Sequence, residues 1–466
     1  MPPAPEADPA LTGRTAGMPE SAEVHMKNSA AIRSGFVSKY REMLGSGEIK
    51  NGIRALAIMA RECCAAGGEV INLTIGDVDW RSFKDLNPSL ADKLGLDPEG
   101  HTRQEMDSFI RDLRITHASP EEESLWSYQP EAIGYLPLRE EFAGFLSGFG
   151  LMYTSADTVL SSGSLPGLDS LLGTIAHMAN SDGTKTDFLF PVPAFSVIRA
   201  QAKRRGISIT EIPADSGRGY CPSAQDVRNT LGPVKQDYTV FYLTPMNNPT
   251  STVYDPETLS ETLTAFHKLR PNGYVIIDLA YIEMIDSGKA REIASVIRES
   301  PLSDKAVISV SMSKLFGDPR LRMAALLTKD RRTVKELTSQ WQTVFASLPG
   351  NSELEALAKW KYVSAETRRL LYSEFRRRQD EVLRMLKSVN EKRISSGAQP
   401  LIDLDGVCRE IPMYLYLRLT GGDMFDLFSE TGILGVPGEI FGDTPDHNMV
   451  RIAVGMIEIP SFRKKS

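Results

Sequence analysis

Short apolar runs recur along the chain, and each ends at a group of small or polar residues. Their length and bounding residues are typical of buried β-strands rather than of helices. The runs cover residues 70–75, 188–190, 238–243, 273–277 and 306–310. The sequence therefore predicts strands whose ends place polar side chains close to a buried sheet.

Apolar residues at helical spacing predict helices in other parts of the chain. The pattern extends over residues 28–66, follows residue 164, and returns in a long run at residues 365–389. Residues 413–417 and 449–453 alternate instead and predict two further strands. Residues 1–25 are rich in Pro, Ala and Gly at their start, and we interpret them as a disordered tail.

Composition adds limits to this pattern. With 466 residues, 41% of them hydrophobic, the chain is long enough for a large core and more than one domain. Its net charge of −7 argues against nucleic acid or an anionic membrane as a partner. Four scattered cysteines and six scattered histidines show neither a disulfide framework nor a metal-site spacing, so we expect a reduced, cytoplasmic, metal-free protein.

The segment 311–322 carries the strongest chemical signal. It follows a predicted buried strand and contains one lysine, Lys314. An amine at the end of a buried strand is suited to act as a nucleophile towards a carbonyl cofactor. Ser311, Ser313 and Arg322 lie close by and are the types of group that bind a phosphate. On its own, such a segment is also compatible with a solvated loop.

This segment resembles the Schiff-base lysine segment of the class I and II aminotransferases, which are fold type I enzymes of pyridoxal 5′-phosphate. In that family the phosphate-binding arginine lies eight residues after the lysine, as Arg322 does after Lys314. The resemblance implies an α/β fold with a mostly parallel seven-stranded sheet in a large domain and a smaller α+β domain.

Other motifs of the family occur in the same order, and the resemblance gives each a role. Phosphate contacts are implied for Ser162, Gly163 and Ser164, which precede a predicted helix, and for Tyr128, which would reach across a homodimer interface. Phe195 is similar to the aromatic residue that stacks on the cofactor ring.

The resemblance implies the remaining contacts. Asn248, before Pro249, and Tyr281 match residues that bind the 3-oxygen of the cofactor, and Asp278 matches the partner of the ring nitrogen. Gly76 and Arg451 match substrate-binding positions, where the arginine binds the α-carboxylate. The implied catalytic set is Lys314, Asp278 and Tyr281.

Five positions depart from the family pattern. Val78 replaces a usual proline, Leu279 replaces a usual glutamate, and Ser251, Arg320 and Ala324 replace usual glycines.

Residues 81–124 form an insertion where the family has a shorter connection. We interpret it as a lid at the mouth of the site or, alternatively, as a surface elaboration. The implied domains are residues 26–80 and 346–466 in the small domain and residues 81–345 in the large one.

The resemblance implies an enzyme that acts on the α-carbon of an amino acid, most simply an aminotransferase. The alternative is a lyase, a cyclase or a carbon–carbon bond-forming enzyme, with S-adenosylmethionine or a natural-product intermediate as substrate. The insertion and the departures at Val78, Ser251 and Arg320 favour this alternative. A non-catalytic regulator that senses the cofactor is disfavoured by the presence of Lys314 and Asp278.

Overall fold

The computed structural model describes residues 20–45, 52–78, 87–116, 132–232, 238–344 and 346–455. The α-helices in these residues are α1 (Glu20–Gly45), α2 (Gly52–Ala65), α3 (Pro88–Lys93), α4 (His101–Thr116), α5 (Leu136–Ser147), α6 (Ser164–Ser181), α7 (Val197–Arg204), α8 (Ala224–Leu231), α9 (Pro256–Leu269), α10 (Ser287–Glu299), α11 (Met312–Leu315), α12 (Arg331–Val344), α13 (Gly350–Tyr362), α14 (Ala365–Ser395) and α15 (Met424–Thr431). The strands are β1 (Ile71–Asn72), β2 (Thr158–Ser161), β3 (Thr186–Val192), β4 (Ser208–Pro213), β5 (Tyr238–Leu243), β6 (Tyr274–Asp278), β7 (Ala306–Ser311), β8 (Ala324–Thr328), β9 (Ile402–Asp403), β10 (Tyr414–Leu419), β11 (Ile433–Leu434), β12 (Val436–Pro437) and β13 (Met449–Ala453).

A seven-stranded sheet with the order β2-β8-β7-β6-β5-β3-β4 forms the centre of the fold. Strand β8 runs antiparallel to both of its neighbours, and every other adjacent pair is parallel. This arrangement confirms the mostly parallel seven-stranded sheet that the resemblance implies.

Both faces of the sheet are buried, which explains why its strands are continuous apolar runs. In β5, Phe241 and Leu243 belong to one hydrophobic core, while Val240 and Tyr242 belong to the core on the opposite face. Helices α9 and α10 cover the first face, and α6 covers the second with Leu168, Leu171, Leu172 and Ile175. The parallel strands therefore have only their ends free for chemistry.

The carboxyl ends of β5, β6 and β7 lie side by side at one edge of this buried layer. The register pairs Leu243 with Ile277 and Asp278 with Ser309. Polar residues that follow one of these strands are consequently close to those that follow the next.

A second, antiparallel sheet with the order β12-β13-β10-β9 contains the last described strand. The N-terminal segment joins this region because β1 pairs in parallel with β11. The proposed domain boundaries at residues 80 and 345 remain a prediction. No helix in the described ranges is both long and apolar enough to cross a membrane.

Two expectations change with the structure. Helix α1 begins at Glu20, so residues 20–25 are helical instead of part of a disordered tail. Their sequence lacks the Pro and Gly residues that precede it, and it contains good helix formers. Residues 1–19 lie outside the described part of the chain.

The described part of the insertion forms α3 and α4, which the polar character of the segment did not indicate. Helix α4 has an apolar stripe that packs on α13. The buried members of the cluster are Met106, Ile110, Leu354 and Ala358.

Candidate active site

A cavity of about 260 Å³ lies at the carboxyl ends of β5, β6 and β7. Most of the predicted site residues form its wall, namely Gly76, Ser164, Phe195, Asn248, Asp278, Tyr281, Ser311, Ser313, Lys314, Arg322 and Arg451. These residues come from segments distributed over most of the chain, and the fold brings them together around one space.

Asp278 is the last residue of β6, and its partly buried carboxylate faces the cavity. The Tyr242 hydroxyl donates a hydrogen bond to Oδ2 (3.0 Å), and the backbone N–H of Ala280 donates to Oδ1 (3.1 Å). Burial raises the pKa of Asp278 to about 6, although these hydrogen bonds and the charge of Lys314 act in the opposite direction. The carboxylate therefore favours a cationic partner.

The side-chain amide of Asn248 connects Tyr281 to Arg451. Its Nδ2 donates to the hydroxyl oxygen of Tyr281 (3.4 Å), and its Oδ1 accepts a hydrogen bond from Arg451 Nη1 (3.2 Å). The hydroxyls of Tyr281 and Tyr414 are also within hydrogen-bond distance (3.1 Å). Burial raises the pKa of Tyr281 well above its ordinary value, so this hydroxyl keeps its proton and can donate it in a hydrogen bond.

Arg451, in β13, is buried with its guanidinium group directed at the cavity. Its Nη2 donates to the carbonyl oxygen of Thr74, but its Nε has no hydrogen-bond partner among the described residues. Burial lowers the pKa of Arg451. A buried N–H without a partner costs about 1–3 kcal/mol, so an anion that accepts it would be bound strongly.

Lys314 lies in the short helix α11, directly after β7. Its Nζ donates a hydrogen bond to the carbonyl oxygen of Gly76, which follows β1. A side chain at position 76 would collide with the Tyr414 hydroxyl, so glycine is required there. The predicted nucleophile thus faces the predicted substrate-side turn.

The predicted phosphate-binding residues gather near the start of α6. Arg322 Nη2 donates to the carbonyl oxygen of Ser162 (3.1 Å), and Gly163 precedes α6 with φ +91°. A Cβ at position 163 would collide with the Arg322 guanidinium group. Ser162 and Gly163 therefore lie beside the cavity and position Arg322, whereas Ser164 forms part of the wall itself.

Ser311 and Ser313 complete this side of the cavity, where the Ser311 hydroxyl accepts a hydrogen bond from the Ser313 N–H (3.2 Å). Free N–H groups at the start of α6, a cationic guanidinium and two hydroxyls form a suitable anion site. Tyr128, predicted to contact the same phosphate, lies outside the described residues.

Three polar residues of the cavity wall were missed in the sequence: Tyr242, Thr244 and Tyr414. Tyr242 belongs to an apolar run that predicts a buried strand. Its hydroxyl was the available signal, because a buried tyrosine hydroxyl normally has a hydrogen-bond partner. Tyr414 gave no comparable signal, because its partner Tyr281 is remote in sequence.

Ser251 replaces a family glycine yet adopts the left-handed conformation that glycine favours, with φ +61°. Its hydroxyl donates to the carbonyl oxygen of Ile411 (2.8 Å), and the N–H of Ile411 donates to that hydroxyl (3.3 Å). These hydrogen bonds offset the strain, so the departure affects the turn and leaves Asn248 in place.

The described part of the insertion does not have the expected position over the site. None of residues 87–116 forms part of the cavity wall. The apolar stripe of α4 is buried against α13 instead, which fixes the helix away from the mouth. Residues 79–86 and 117–131, which flank it, are outside the described ranges.

The donor set fits pyridoxal 5′-phosphate. A buried carboxylate suits a protonated ring nitrogen, the amine of Lys314 suits an aldehyde, and Arg322 with the start of α6 suits a phosphate. The unpartnered Nε of Arg451 suits the carboxylate of an amino acid. In contrast, no group of His, Cys, Asp and Glu side chains in the described ranges could hold a metal ion.

Comparisons with known proteins agree with this geometry. Residues 114–458 match the family model described as aminotransferase class I and II. An aromatic amino acid aminotransferase of Mycobacterium sp. strain KMS is 26% identical over 193 residues, which are 41% of this chain and 49% of the relative. That of Mycolicibacterium vanbaalenii is 26% identical over 190 residues, 41% of this chain and 48% of the relative. The chain thus spans about half the length of these curated relatives.

Solved structures show the same fold. The aspartate aminotransferase from Rhizobium meliloti has a TM-score of 0.66 at 16% identity and covers 89% of this chain and 94% of its own. The alanine aminotransferase from Pyrococcus furiosus has a TM-score of 0.64 at 16% identity, with the same coverage of both chains.

The raised pKa of Asp278 predicts a pH-dependent stability of the ligand-free protein. The carboxyl group has a pKa near 4 in the unfolded chain and about 6 in the folded protein. It therefore contributes stability below pH 4, where it is protonated, and this contribution is lost as the pH rises through about 6. The Asp278→Asn protein lacks this titrating group. As the pH rises from 4 to 7, we expect its unfolding free energy to increase by up to about 3 kcal/mol relative to that of the unsubstituted protein. Urea unfolding at both pH values measures the difference, and an equal difference at both would contradict the assignment.

Proposed function

Because the chain belongs to the class I and II aminotransferase family, we propose that it is an aminotransferase that uses pyridoxal 5′-phosphate. The observation that carries the proposal is the convergence of Lys314, Asp278 and Arg451 on one cavity. An amine, a buried carboxylate and a buried guanidinium group are the groups that this chemistry requires.

Bound pyridoxal 5′-phosphate supplies an aldehyde that condenses with amines and a ring that accepts electrons from the α-carbon. Asp278 would hold the ring nitrogen in its protonated form, and Asn248 and Tyr281 would bind the 3-oxygen. Phe195 would cover the ring with its aromatic face. Six residues would hold the phosphate: Ser162, Gly163, Ser164, Ser311, Ser313 and Arg322.

Two residues act on the substrate in this proposal. Arg451 orients the amino acid through its α-carboxylate, which accepts the N–H that has no protein partner. The amine of Lys314 would bind the aldehyde of the cofactor, and it would act as the base that takes the proton from the α-carbon of the substrate. Its hydrogen bond to Gly76 keeps the amine on the substrate side of the cavity.

The side chain of the substrate would meet an apolar surface. Ile53 of α2 and Ile75, beside Gly76, form part of the cavity wall, and the ring of Tyr414 completes it. Together with the aromatic amino acid aminotransferases among the relatives, this surface supports an apolar or aromatic amino donor.

We further propose that the protein acts as a homodimer with shared sites. Tyr128 would bind the phosphate in the site of the partner subunit, as the family resemblance implies. Arg322 is exposed in the single chain, which is consistent with a phosphate site that a second subunit covers.

The proposal predicts covalent attachment of the cofactor at Lys314. The purified protein should be yellow, and borohydride should fix the cofactor to this residue, since Lys314 Nζ is the amine in the cavity wall. Peptide mapping identifies the labelled lysine, and Lys314→Ala provides the unlabelled control.

Phenylalanine, tyrosine, leucine and aspartate should be assayed as amino donors, with 2-oxoglutarate as acceptor.

Labelling of another lysine would contradict the site assignment. Formation of glutamate from an aromatic or apolar donor would support aminotransfer. Release of a leaving group from S-adenosylmethionine, without glutamate formation, would replace aminotransfer by the elimination or cyclisation reaction.

Arg451→Lys is expected to lower kcat/KM for the amino donor by about 100-fold, mainly through KM, because one ammonium group cannot replace a two-pronged guanidinium contact. Cofactor content should stay unchanged, as measured by absorbance after alkaline release. The exposed Arg418→Lys in β10 is the matched control. A loss in kcat alone, with KM unaltered, would argue against carboxylate binding by Arg451.

Subunit mixing tests the shared site. Tyr128→Phe and Lys314→Ala proteins should each have low activity. A mixed dimer should contain one site with both native residues, so activity should rise after exchange of subunits. If the mixture never exceeds the sum of its parents, while exchange is verified by mass spectrometry, Tyr128 does not act across an interface.

A further inference from the structure

A buried lysine in α13 joins two parts of the chain that are remote in sequence. The side chain of Lys359 is only 3% exposed. Its Nζ lies 3.3 Å from Asp318 Oδ2 and donates a hydrogen bond to the carbonyl oxygen of Leu94 (3.5 Å). An ammonium group taken out of water is stable only when such partners stay in place. The positions of Asp318 and Leu94 are therefore linked through Lys359.

Asp318 lies between the cofactor lysine and the phosphate-binding arginine. Its Oδ1 accepts a hydrogen bond from the Leu321 N–H (3.2 Å), which closes the turn before Arg322. Pro319, inside this turn, forms part of the cavity wall, and its carbonyl oxygen accepts a hydrogen bond from Arg322 Nη1 (3.2 Å). Arg322 has φ +56°, a conformation that a side chain adopts only when its surroundings impose it.

Leu94 belongs to the insertion and follows the last residue of α3. The insertion is anchored on α13 by the two-pronged ion pair of Arg103 with Glu355 (2.6 and 3.0 Å). Glu355 and Lys359 are one helical turn apart, so both face the insertion. The same helix thus carries the contact to α4 and the contact to the turn at Asp318.

Neutral contacts hold the first half of the lysine segment independently of the insertion. The Tyr372 hydroxyl donates to the carbonyl oxygen of Leu315 (2.9 Å), and the rings of Phe316 and Trp360 pack edge to face at 5.0 Å. The second half, from Asp318 to Arg322, is joined to Ser162 through Arg322 and to Lys359 through the charged contact of Asp318.

We propose that Lys359 is a positioning residue through which the insertion, residues 87–116, holds the turn at residues 318–322 in the shape that binds the cofactor phosphate. The inference rests on the proposed function, because it concerns the affinity for pyridoxal 5′-phosphate. In this proposal the insertion supports the turn that leads to Arg322, and it does not act as a lid over the mouth of the cavity.

The test compares full-length variants for binding of pyridoxal 5′-phosphate. Lys359→Met keeps the length of the buried side chain and removes its charge, Asp318→Asn removes the other charge, and Arg103→Ala loosens the insertion from a partly exposed position. Lys335→Met, which removes an exposed lysine from α12, is the control. Quenching of tryptophan fluorescence in cofactor-free protein gives the Kd, and thermal unfolding is measured in parallel.

Lys359→Met and Asp318→Asn should each raise the Kd by about tenfold, and Arg103→Ala should raise it by a smaller factor. The Lys359→Met/Asp318→Asn double variant should be no weaker than Lys359→Met alone, because both changes remove one contact. The control should bind as the unsubstituted protein does.

An unchanged Kd in Lys359→Met and Arg103→Ala, even with a lower Tm, would reduce the contact to a stabilising one and overturn the inference. If Lys359→Met does not fold, the Kd of Arg103→Ala decides. Failure of the unsubstituted protein to bind pyridoxal 5′-phosphate would instead overturn the proposed function.

Discussion

The burial of charged groups in the wall of one cavity is the constraint on which the site depends. Asp278 and Arg451 both line this cavity, and each lacks a full ionic partner within the described part of the chain. Desolvation of such groups costs several kcal/mol each. The many other contacts that hold β6 and β13 in place offset this cost. A ligand that supplies a cation to Asp278 and an anion to Arg451 removes both penalties at once. Ligand binding and protein stability are therefore coupled at this site.

Much of the site was predictable from the sequence because its residues follow directly from the positions of buried strands. Asp278 and Lys314 come at the ends of apolar runs, where a charged side chain is costly unless it has a function. The order of the motifs then identified the family, and the seven-stranded sheet confirmed the implied fold. The roles of the individual residues remain predictions.

Other features depend on contacts between distant segments and could not be inferred from local patterns. Tyr414 becomes part of the site because β10 lies beside β13, which carries Arg451, and because its hydroxyl reaches the hydroxyl of Tyr281. The sequence of the insertion is compatible with both a lid and a surface elaboration. Its actual place is determined by the fit between the apolar stripe of α4 and the surface of α13. That surface belongs to a segment more than two hundred residues further along the chain.

The parallel pairing of β1 with β11 has a consequence for the order in which the chain can assemble during its synthesis. The strands of the central sheet lie within residues 158–328, so they leave the ribosome as one continuous block that can pair without either end of the chain. Strand β1 emerges long before this block, but its partner, residues 433–434, emerges long after it. Strand β1 therefore stays without its partner strand until residues 433–434 have been synthesised. Closure of the large loop between β1 and β11 is slow. The space between Gly76 and Arg451 is consequently among the last parts of the molecule to acquire its shape.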